Sequence, residues 1–267
     1  MSIEVFNRYE KKYLLDEKDF DFILNHIKDY MIMDQYNKEH EFYNIANIYY
    51  DTINDDLISK SIEKPDYKEK LRLRSYGVPT LEDKVFLEIK KKYNGIVNKR
   101  RTKIVLKDAY DFVEKDIDPE SQSYMNLQVK DEIKYMLKNK ILLPKLYLTY
   151  DRKAFFDADD WDFRVTFDTN IKSRRDNVRL EAGSEGKLLI NNEKWLMEIK
   201  SSKAIPLWFT RLLSERKIYP SSFSKYGTEY RQYMTAKKSE GDNNLCLDQY
   251  LVQRQLHQYQ PGKQLLA

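Results

Sequence analysis

Lysine and arginine recur at every second position in several segments of this chain, with apolar residues between them. The segment 68–74 carries a basic residue at each even position, and Leu71 and Leu73 lie between these. Successive side chains of a strand point to opposite faces, so such a segment would have one cationic and one apolar face. Planar guanidinium groups and compact ammonium groups are suited to binding phosphate oxygens. The spacing therefore favours the binding of a phosphate-rich polyanion.

The same alternation recurs along the chain. The polar faces comprise, in chain order, Arg8, Glu10 and Lys12; Lys68, Lys70, Arg72 and Arg74; Glu88, Lys90 and Lys92; Lys99, Arg101 and Lys103; Tyr150 and Arg152; Asp162, Arg164, Thr166 and Asp168; and Glu198 and Lys200. Carboxylates stand beside cations on the same strand face at Glu88/Lys90 and Glu198/Lys200. That arrangement suits a divalent metal held by oxygen ligands together with substrate phosphates.

Two architectures fit this pattern. In the first, an open antiparallel sheet packs its apolar face on the core and exposes its charged face to water. In the second, the sheet closes into a barrel of about eight strands with the charged faces inward, which leaves room for one small ligand. Alternation alone favours the open sheet, because exposed charged faces are common. The many arginines and the carboxylates beside the cations favour the barrel around tri- or polyphosphate.

Strands and helices alternate without a regular βαβ order, which predicts an α+β fold with a mainly antiparallel sheet. Asp16 is the expected N-cap of a first helix with an apolar face. Asn94 and Gly95 predict a hairpin turn. The predicted strands are 3–15, 43–51, 68–76, 84–93, 97–106, 145–153, 161–169 and 194–201. One predicted helix starts at Asp16, and four others span 54–64, 108–116, 122–139 and 206–217.

Composition excludes several classes of protein. The 267 residues include 47 Lys and Arg against 43 Asp and Glu, and only seven glycines, with no glycine-rich nucleotide-binding loop. A single cysteine, Cys246, rules out an internal disulfide. The beginning of the chain has no apolar signal core, so we expect a cytoplasmic protein. Nucleic acid is not an expected partner, because the basic residues pair with carboxylates rather than with exposed aromatic rings.

The ordered set of motifs over about residues 6–234 resembles a known family. The segments that carry the resemblance are Arg8-Tyr9-Glu10-Lys11-Lys12-Tyr13, Lys70-Leu71-Arg72-Leu73-Arg74-Ser75-Tyr76-Gly77, Phe86-Leu87-Glu88-Ile89-Lys90, Lys99-Arg100-Arg101, Tyr150-Asp151-Arg152, Arg164-Val165-Thr166-Phe167-Asp168-Thr169, Leu196-Met197-Glu198-Ile199-Lys200 and Phe223-Ser224-Lys225-Tyr226. Together they are similar to the catalytic domain of the vacuolar transporter chaperone (VTC) polyphosphate polymerases. These are triphosphate tunnel metalloenzymes of the CYTH-like superfamily.

The resemblance implies an antiparallel tunnel barrel with helices packed outside, ATP as phosphoryl donor, inorganic polyphosphate as acceptor and product, and a divalent metal, Mn²⁺ or Mg²⁺. The implied catalytic cations are Arg72, Arg74, Lys90, Arg152, Arg164 and Lys200. The implied substrate contacts are Lys12, Lys99, Arg101, Tyr150, Ser224 and Lys225, with Lys99 and Arg101 as alternatives for one position. The implied metal ligands are Glu198, Glu88 and Glu10.

The chain departs from the wider superfamily at its first motif. That motif often reads Glu-x-Glu-x-Lys, but Arg8 replaces its first glutamate here. Fewer metal carboxylates favour a polymerase over a triphosphate hydrolase, and a non-catalytic polyphosphate-binding module stays a further alternative. We expect one tunnel domain over residues 1–236 and a polar, poorly ordered tail over 237–267. Transport of a product across a membrane would need a separate membrane protein.

Overall fold

The computed structural model describes residues 9–37, 40–94 and 96–239. The strands are β1 (Tyr9–Leu15), β2 (Met31–Met33), β3 (Tyr43–Asp51), β4 (Tyr67–Tyr76), β5 (Lys84–Tyr93), β6 (Ile96–Val105), β7 (Leu143–Asp157), β8 (Arg164–Arg174), β9 (Lys187–Leu188) and β10 (Trp195–Ser201). The helices are α1 (Glu17–Ile27), α2 (Asp56–Ile62), α3 (Leu106–Lys115), α4 (Leu127–Asn139), α5 (Leu207–Glu215) and α6 (Lys225–Ser239), with a 3₁₀ turn at Gln35–Asn37. The expected strand residues 3–8, Gly95 and the tail from 240 onwards lie outside the described residues.

One antiparallel sheet organises the molecule, which confirms the predicted α+β class. Its hydrogen-bonded order is β1-β10-β8-β7-β3-β4-β5-β6, with β2 paired to β7 and β9 paired to β8. Every recorded pairing is antiparallel. Helices α1 to α4 lie between strands in sequence, and α5 and α6 follow the last strand.

The sheet curves like a barrel, but its hydrogen bonds do not close it within the described residues. The two edge strands are β1 and β6. The Glu10 carboxylate on β1 nevertheless lies 3.7 Å from the Lys90 ammonium group on β5, so the curvature brings the two ends of the sheet together. The free edge of β1 is covered instead by the segment after α5, where the Ser221 amide donates to the Lys12 carbonyl at 2.6 Å. The predicted barrel is thus correct in shape and open at one seam.

The apolar side chains of the strands face outward and are covered by helices. Leu71, Leu73, Leu87 and Ile89 are at most 1% exposed and belong to a cluster that includes buried residues of α3 and α4. A second cluster joins α1 and α5 to the apolar face of β1, β8 and β10. This burial of the apolar faces turns the charged faces toward the inside of the curve.

The inner face is not charged throughout. On β3 and β7 it carries apolar residues, including Tyr49 and Leu148. Ile58 of α2 and Tyr226 of α6 pack against this apolar part, and the rings of Tyr226 and Tyr49 lie 4.8 Å apart. Two helices therefore fill one side of the interior, and the charged residues occupy the rest.

The structure differs from the sequence-based prediction at one strand and at the last helix. The expected strand 161–169 begins at Arg164 and continues to Arg174, because residues 158–163 form a turn in which the Phe163 amide donates to the Asp160 carbonyl at 2.9 Å. The alternation at Trp161 belongs to that turn, where its ring is 68% exposed. Helix α6 was not predicted, and it extends beyond residue 236 to Ser239.

Asp51 anchors both helices that fill the interior. Its buried carboxylate accepts hydrogen bonds from the Leu57 and Ile58 amides at the start of α2, at 2.8 and 2.9 Å. It also accepts one from the Tyr226 hydroxyl of α6 at 3.1 Å. Each donor would lose its partner if this side chain were shortened.

We therefore expect Asp51→Ala to lower the free energy of unfolding by about 3 kcal/mol, because buried donors left without partners each cost about 1–3 kcal/mol. Tyr226→Phe removes one hydrogen bond and should cost about 1 kcal/mol. Urea unfolding followed by circular dichroism measures both. Asp56→Ala is the matched control, since this exposed carboxylate sits in the same first turn of α2. Equal losses in Asp51→Ala and Asp56→Ala would contradict the anchoring role.

Candidate functional site

Three lysines form a row across neighbouring strands of the inner face. Lys70 on β4 is the direct partner of Lys90 on β5, and Lys90 is the direct partner of Lys99 on β6. Like charges that stand directly opposite each other destabilise a sheet. The row therefore needs negative charge from elsewhere, and carboxylates of neighbouring residues supply only part of it.

A second row lies beside the lysines and holds one of the needed carboxylates. Arg72, Glu88 and Arg101 are successive partners on β4, β5 and β6. Glu88 is 1% exposed, and its carboxylate lies 2.6 Å from the Arg72 Nε and 2.8 Å from the Lys99 Nζ. Burial alone would raise the pKa of Glu88, but Arg72, Arg74 and Lys99 hold it well below its usual range. Glu88 is thus ionised and fixes the cations around it.

Arg74 extends this cationic surface toward β3 and β7. Its guanidinium donates to Asn47 Oδ1 at 3.0 Å and to the Tyr150 hydroxyl at 3.3 Å. Burial would raise the pKa of Tyr150, but Arg152, Arg74 and Lys225 outweigh it and lower that pKa to about 8. A hydroxyl of this kind is a good hydrogen-bond donor to an anionic ligand.

Asp168 positions two further cations that come from distant parts of the chain. Arg152 donates to both of its oxygens, at 2.6 and 2.8 Å, and the Lys225 ammonium donates to Oδ2 at 2.5 Å. Asp168 is fully buried, and the two cations lower its pKa against the effect of burial. It was on the predicted polar face of its strand but was not among the predicted site residues. Its position two residues after Thr166, on the same polar face of the strand, could have identified it as a site residue.

Arg164 and Ser224 are two other predicted site residues, and each has a defined hydrogen-bond partner. Arg164 donates to Asp34 Oδ2 at 3.1 Å, and its guanidinium lies 4.6 Å from the centroid of Phe156. Ser224 directly precedes α6, where its hydroxyl accepts a hydrogen bond from the Gly227 amide at 3.3 Å. Ser224 therefore shapes the start of the helix that presents Lys225.

The remaining carboxylates, Glu10 and Glu198, form a pair on the adjacent strands β1 and β10. Lys12 lies 3.3 Å from Glu10 and 3.7 Å from Glu198, and Lys200 lies 2.6 Å from Glu198. Burial would raise the pKa of Glu198, but Lys200, Lys12 and Arg152 hold it well below its usual range. Conversely, burial would lower the pKa of Lys12, whereas Glu198 and Glu10 raise it.

This carboxylate pair fits a divalent metal that is shared with substrate phosphates. Mg²⁺ commonly binds through one or two carboxylates, phosphates and waters rather than through an all-protein cage. Within residues 9–37, 40–94 and 96–239, no group of three His, Cys, Asp or Glu side chains is arranged to hold a metal. The donor set of Glu10 and Glu198 therefore suits a metal that arrives with a phosphate ligand.

Two lysines of the row have pKa values below the usual value for lysine. Burial lowers the pKa of Lys70 to about 8, and the nearby Lys90, Lys68 and Lys12 contribute to this lowering. Burial likewise lowers the pKa of Lys99 to about 7, with Arg72 and Arg74 adding to it and Glu88 opposing it. An anion bound nearby would raise both pKa values and so favour the charged form of each lysine.

The predicted site residues lie together on the inner face or at its rim. Side-chain contacts join most of them in three groups, namely Arg72, Arg74, Lys99 and Glu88; Tyr150, Arg152 and Lys225; and Glu10, Lys12, Lys90, Glu198 and Lys200. Lys99 rather than Arg101 contacts Glu88, whereas Arg101 is exposed and stacks 4.4 Å above Phe86. The structure adds Lys70 and Asp168, which were not among the predicted site residues.

None of the helices among the described residues is both long and apolar enough to cross a membrane.

Solved structures with a similar fold come from different organisms. A protein from Bacillus halodurans described as a candidate adenylate cyclase aligns with a TM-score of 0.51 and 15% identity, over 83% of this chain and 96% of that one. HpAC1 from Hippeastrum is described as a candidate adenylyl cyclase with a dominant triphosphatase activity. It aligns with a TM-score of 0.45 and 15% identity, over 81% of this chain and 92% of that one. At this identity the first likeness concerns the fold alone.

The match at the level of sequence families is more specific. Among curated protein sequences, none matches this chain. The family model of the VTC domain matches residues 7–234, which includes every residue of the three contact groups. That span covers most of the chain and confirms the resemblance seen in its motifs. The chain therefore belongs to the VTC domain family.

Proposed function

We propose that this protein is a polyphosphate polymerase that transfers the γ-phosphoryl group of ATP to the end of an inorganic polyphosphate chain. The observation that carries the proposal is the lysine row, Lys70, Lys90 and Lys99, which stands beside the row of Arg72 and Arg101. Such an arrangement of like charges is stable when a multiply charged anion lies along it. Membership of the VTC domain family supports the same substrate class.

The two kinds of cation suit the two substrates. Arginine offers a planar fork to phosphate oxygens, so Arg72, Arg74 and Arg152 are suited to hold the donor triphosphate in one orientation. Lysine offers a compact charge without a fixed fork, so the lysine row is suited to a chain that must advance after each transfer. The transferred phosphoryl group would then lie where the arginine and lysine rows meet, beside Glu88.

The reaction requires positioning more than acid–base chemistry. A terminal oxygen of the polyphosphate chain forms a bond to the γ-phosphorus. The bond between that phosphorus and the β–γ bridging oxygen breaks, and ADP leaves with the electron pair. The attacking oxygen is already ionised near neutral pH, so no protein base has to remove a proton. Arg72, Arg74, Lys99 and Arg164 would stabilise the charge that develops on the transferred group.

Glu10 and Glu198 would hold the divalent metal, Mn²⁺ or Mg²⁺. When bound, this ion would offset negative charge on the substrate phosphates. Lys12 and Lys200 keep both carboxylates ionised before substrate arrives, as the lowered pKa of Glu198 and of Glu10 indicates. Glu88 differs from this pair because it is enclosed by Arg72, Lys99 and Arg74, so we assign it to positioning those cations.

A hydrolase on the same fold would need a positioned water and more metal-binding carboxylates. Among the described residues, the lack of a three-carboxylate cluster supports a transferase over this alternative. A binding module without catalysis would bind the same anions and form no product. The cytoplasmic location and the separate membrane partner stay predictions.

Incubation with ATP and Mn²⁺ should yield a ladder of lengthening polyphosphate and an equal amount of ADP. Electrophoresis that resolves phosphate chains measures the first, and a coupled ADP assay measures the second. Orthophosphate without a ladder would instead identify a triphosphate hydrolase. Binding of tripolyphosphate with no product at all would identify a binding module.

Arg72→Ala, Arg164→Ala and Glu198→Ala should each reduce polymer synthesis by about 100-fold or more, because the two arginines would stabilise charge on the reacting phosphates and Glu198 would hold the metal. Circular dichroism should show an intact fold in all three. Arg211→Ala, which removes an exposed arginine of α5, is the control and should keep full activity. Normal synthesis by all three site variants would contradict the assigned residues.

The low pKa values of Lys99 and Lys70 predict that phosphate binding weakens as pH rises. Both lysines are protonated below about pH 7, and both lose their charge above about pH 8 in the free protein. Tripolyphosphate also titrates, so the informative quantity is the ratio of wild-type to Lys99→Met affinity. We expect isothermal titration calorimetry between pH 6.5 and 9 to show that this ratio falls, by at most about tenfold per pH unit for one group.

Lys107→Met, which removes an exposed lysine of α3, is the matched control, and its affinity ratio should stay constant over the same range. If the ratio of wild-type to Lys99→Met affinity also stays constant, Lys99 keeps one charge state over this pH range and the prediction is wrong.

A further inference from the structure

Four aromatic rings cluster beside the arginines at one end of the inner face. The rings of Tyr36 and Tyr76 are parallel within 1°, with centroids 5.5 Å apart. Tyr43 lies 5.8 Å from Tyr36 and 6.0 Å from Tyr76, and Phe86 lies 6.0 Å from Tyr76 in an edge-to-face arrangement. Tyr36 is 61% exposed and Tyr76 is 40% exposed, so these two rings are open to solvent.

The rings continue the proposed triphosphate site along the strands. Tyr76 lies two residues beyond Arg74 on the same face of β4, and Phe86 is the direct partner of Arg74 on β5. Tyr43 is the direct partner of Arg152 on β7. Two residues of a strand span about 6.6 Å, which is comparable to the length of a ribose between a phosphate and a base.

The exposed Tyr36 is held in place although it lies on a short turn. Its amide donates to Asp34 Oδ1 at 3.2 Å, and the other oxygen of Asp34 accepts from Arg164. The Asn37 side chain, which is 3% exposed, donates to the Arg152 carbonyl at 3.2 Å and accepts from the Ala154 amide at 2.9 Å. The turn is thereby bonded to β7 and linked through Asp34 to Arg164.

We propose that Tyr36, Tyr43, Tyr76 and Phe86 form the subsite for the nucleoside of the donor triphosphate, with the base stacked on Tyr36 and Tyr76. This inference rests on the proposed function, and it also orients the donor. The nucleoside lies at the aromatic end, and the γ-phosphate points toward the lysine row. Arg101, 4.4 Å above Phe86, adds positive charge at the rim of the subsite.

Stacking implies a particular selectivity. Every base offers a π face, so aromatic platforms bind bases with little discrimination by hydrogen bonding. Purines offer the larger face, and we therefore expect ATP and GTP to bind similarly and UTP more weakly. A ring cluster that served only packing would show no such preference.

Tyr36→Ala and Tyr76→Ala test the subsite by comparing a ligand that has a base with one that lacks it. Isothermal titration calorimetry with ATP and with tripolyphosphate, both without added metal to prevent turnover, gives the two affinities. We expect each variant to weaken ATP binding by about tenfold, since one base–aromatic stack is lost, and to leave tripolyphosphate binding unchanged. Tyr76→Phe keeps the ring and should restore ATP affinity. Tyr135→Ala, which removes a 72% exposed tyrosine of α4, is the control for loss of a surface ring.

Unchanged ATP affinity in both alanine variants would overturn the subsite while leaving the phosphate site in place. An equal loss for ATP and tripolyphosphate would overturn it as well, because the rings would then act through the arginines rather than on the base. Failure of the wild-type protein to bind tripolyphosphate would overturn the proposed function and the subsite together.

Discussion

The structure depends on how buried positive charge is balanced on the inner face of the sheet. Within residues 9–37, 40–94 and 96–239, the cations of this face outnumber the strand carboxylates Glu10, Glu88, Asp168 and Glu198. Removing a charge from water is costly unless an opposite charge or hydrogen bonds compensate. Each carboxylate therefore contacts at least two cations, and the remaining positive charge is available for a ligand. An anion with many charges offsets that remainder better than a single carboxylate could.

The fold provides this face through ordinary hydrophobic burial on the opposite side of the sheet. Helices α3 and α4 cover the outer side of β4 to β6, and α1 and α5 cover β1, β8 and β10. Because alternate residues of each strand are buried against helices, the intervening cations must face inward. Asp51 and Tyr226 then fix the two helices that fill the apolar part of the interior. Apart from Lys225 on α6, the site cations are thus held by strands rather than by loops, which limits the reorganisation needed when a phosphate binds.

The inner face also has a direction along the strands. Aromatic rings mark one end of β4 and β5, arginines follow, and lysines mark the other end. The arginines are held by side-chain partners such as Asn47, Glu88 and Asp168, whereas Lys70 and Lys99 have lowered pKa values. In the proposed polymerase, the fixed arginines would hold the donor and the lysines would hold the growing chain as it advances.

The sequence by itself determined the faces of the strands and the cations on them. Alternation in segments such as 68–74 and 84–93 placed Arg72, Arg74, Glu88 and Lys90 correctly, because a period of two depends only on local backbone geometry. The inward direction of these faces, the seam between β1 and β6, and the partners of each cation depended on tertiary structure. Asp168 joins Arg152 to Lys225, which is 57 residues away along the chain, and Tyr36 stacks on Tyr76 from a separate turn. Pairings of this kind follow from the curvature of the sheet and from the packing of the helices, and neither is encoded in the spacing of residues along a single strand.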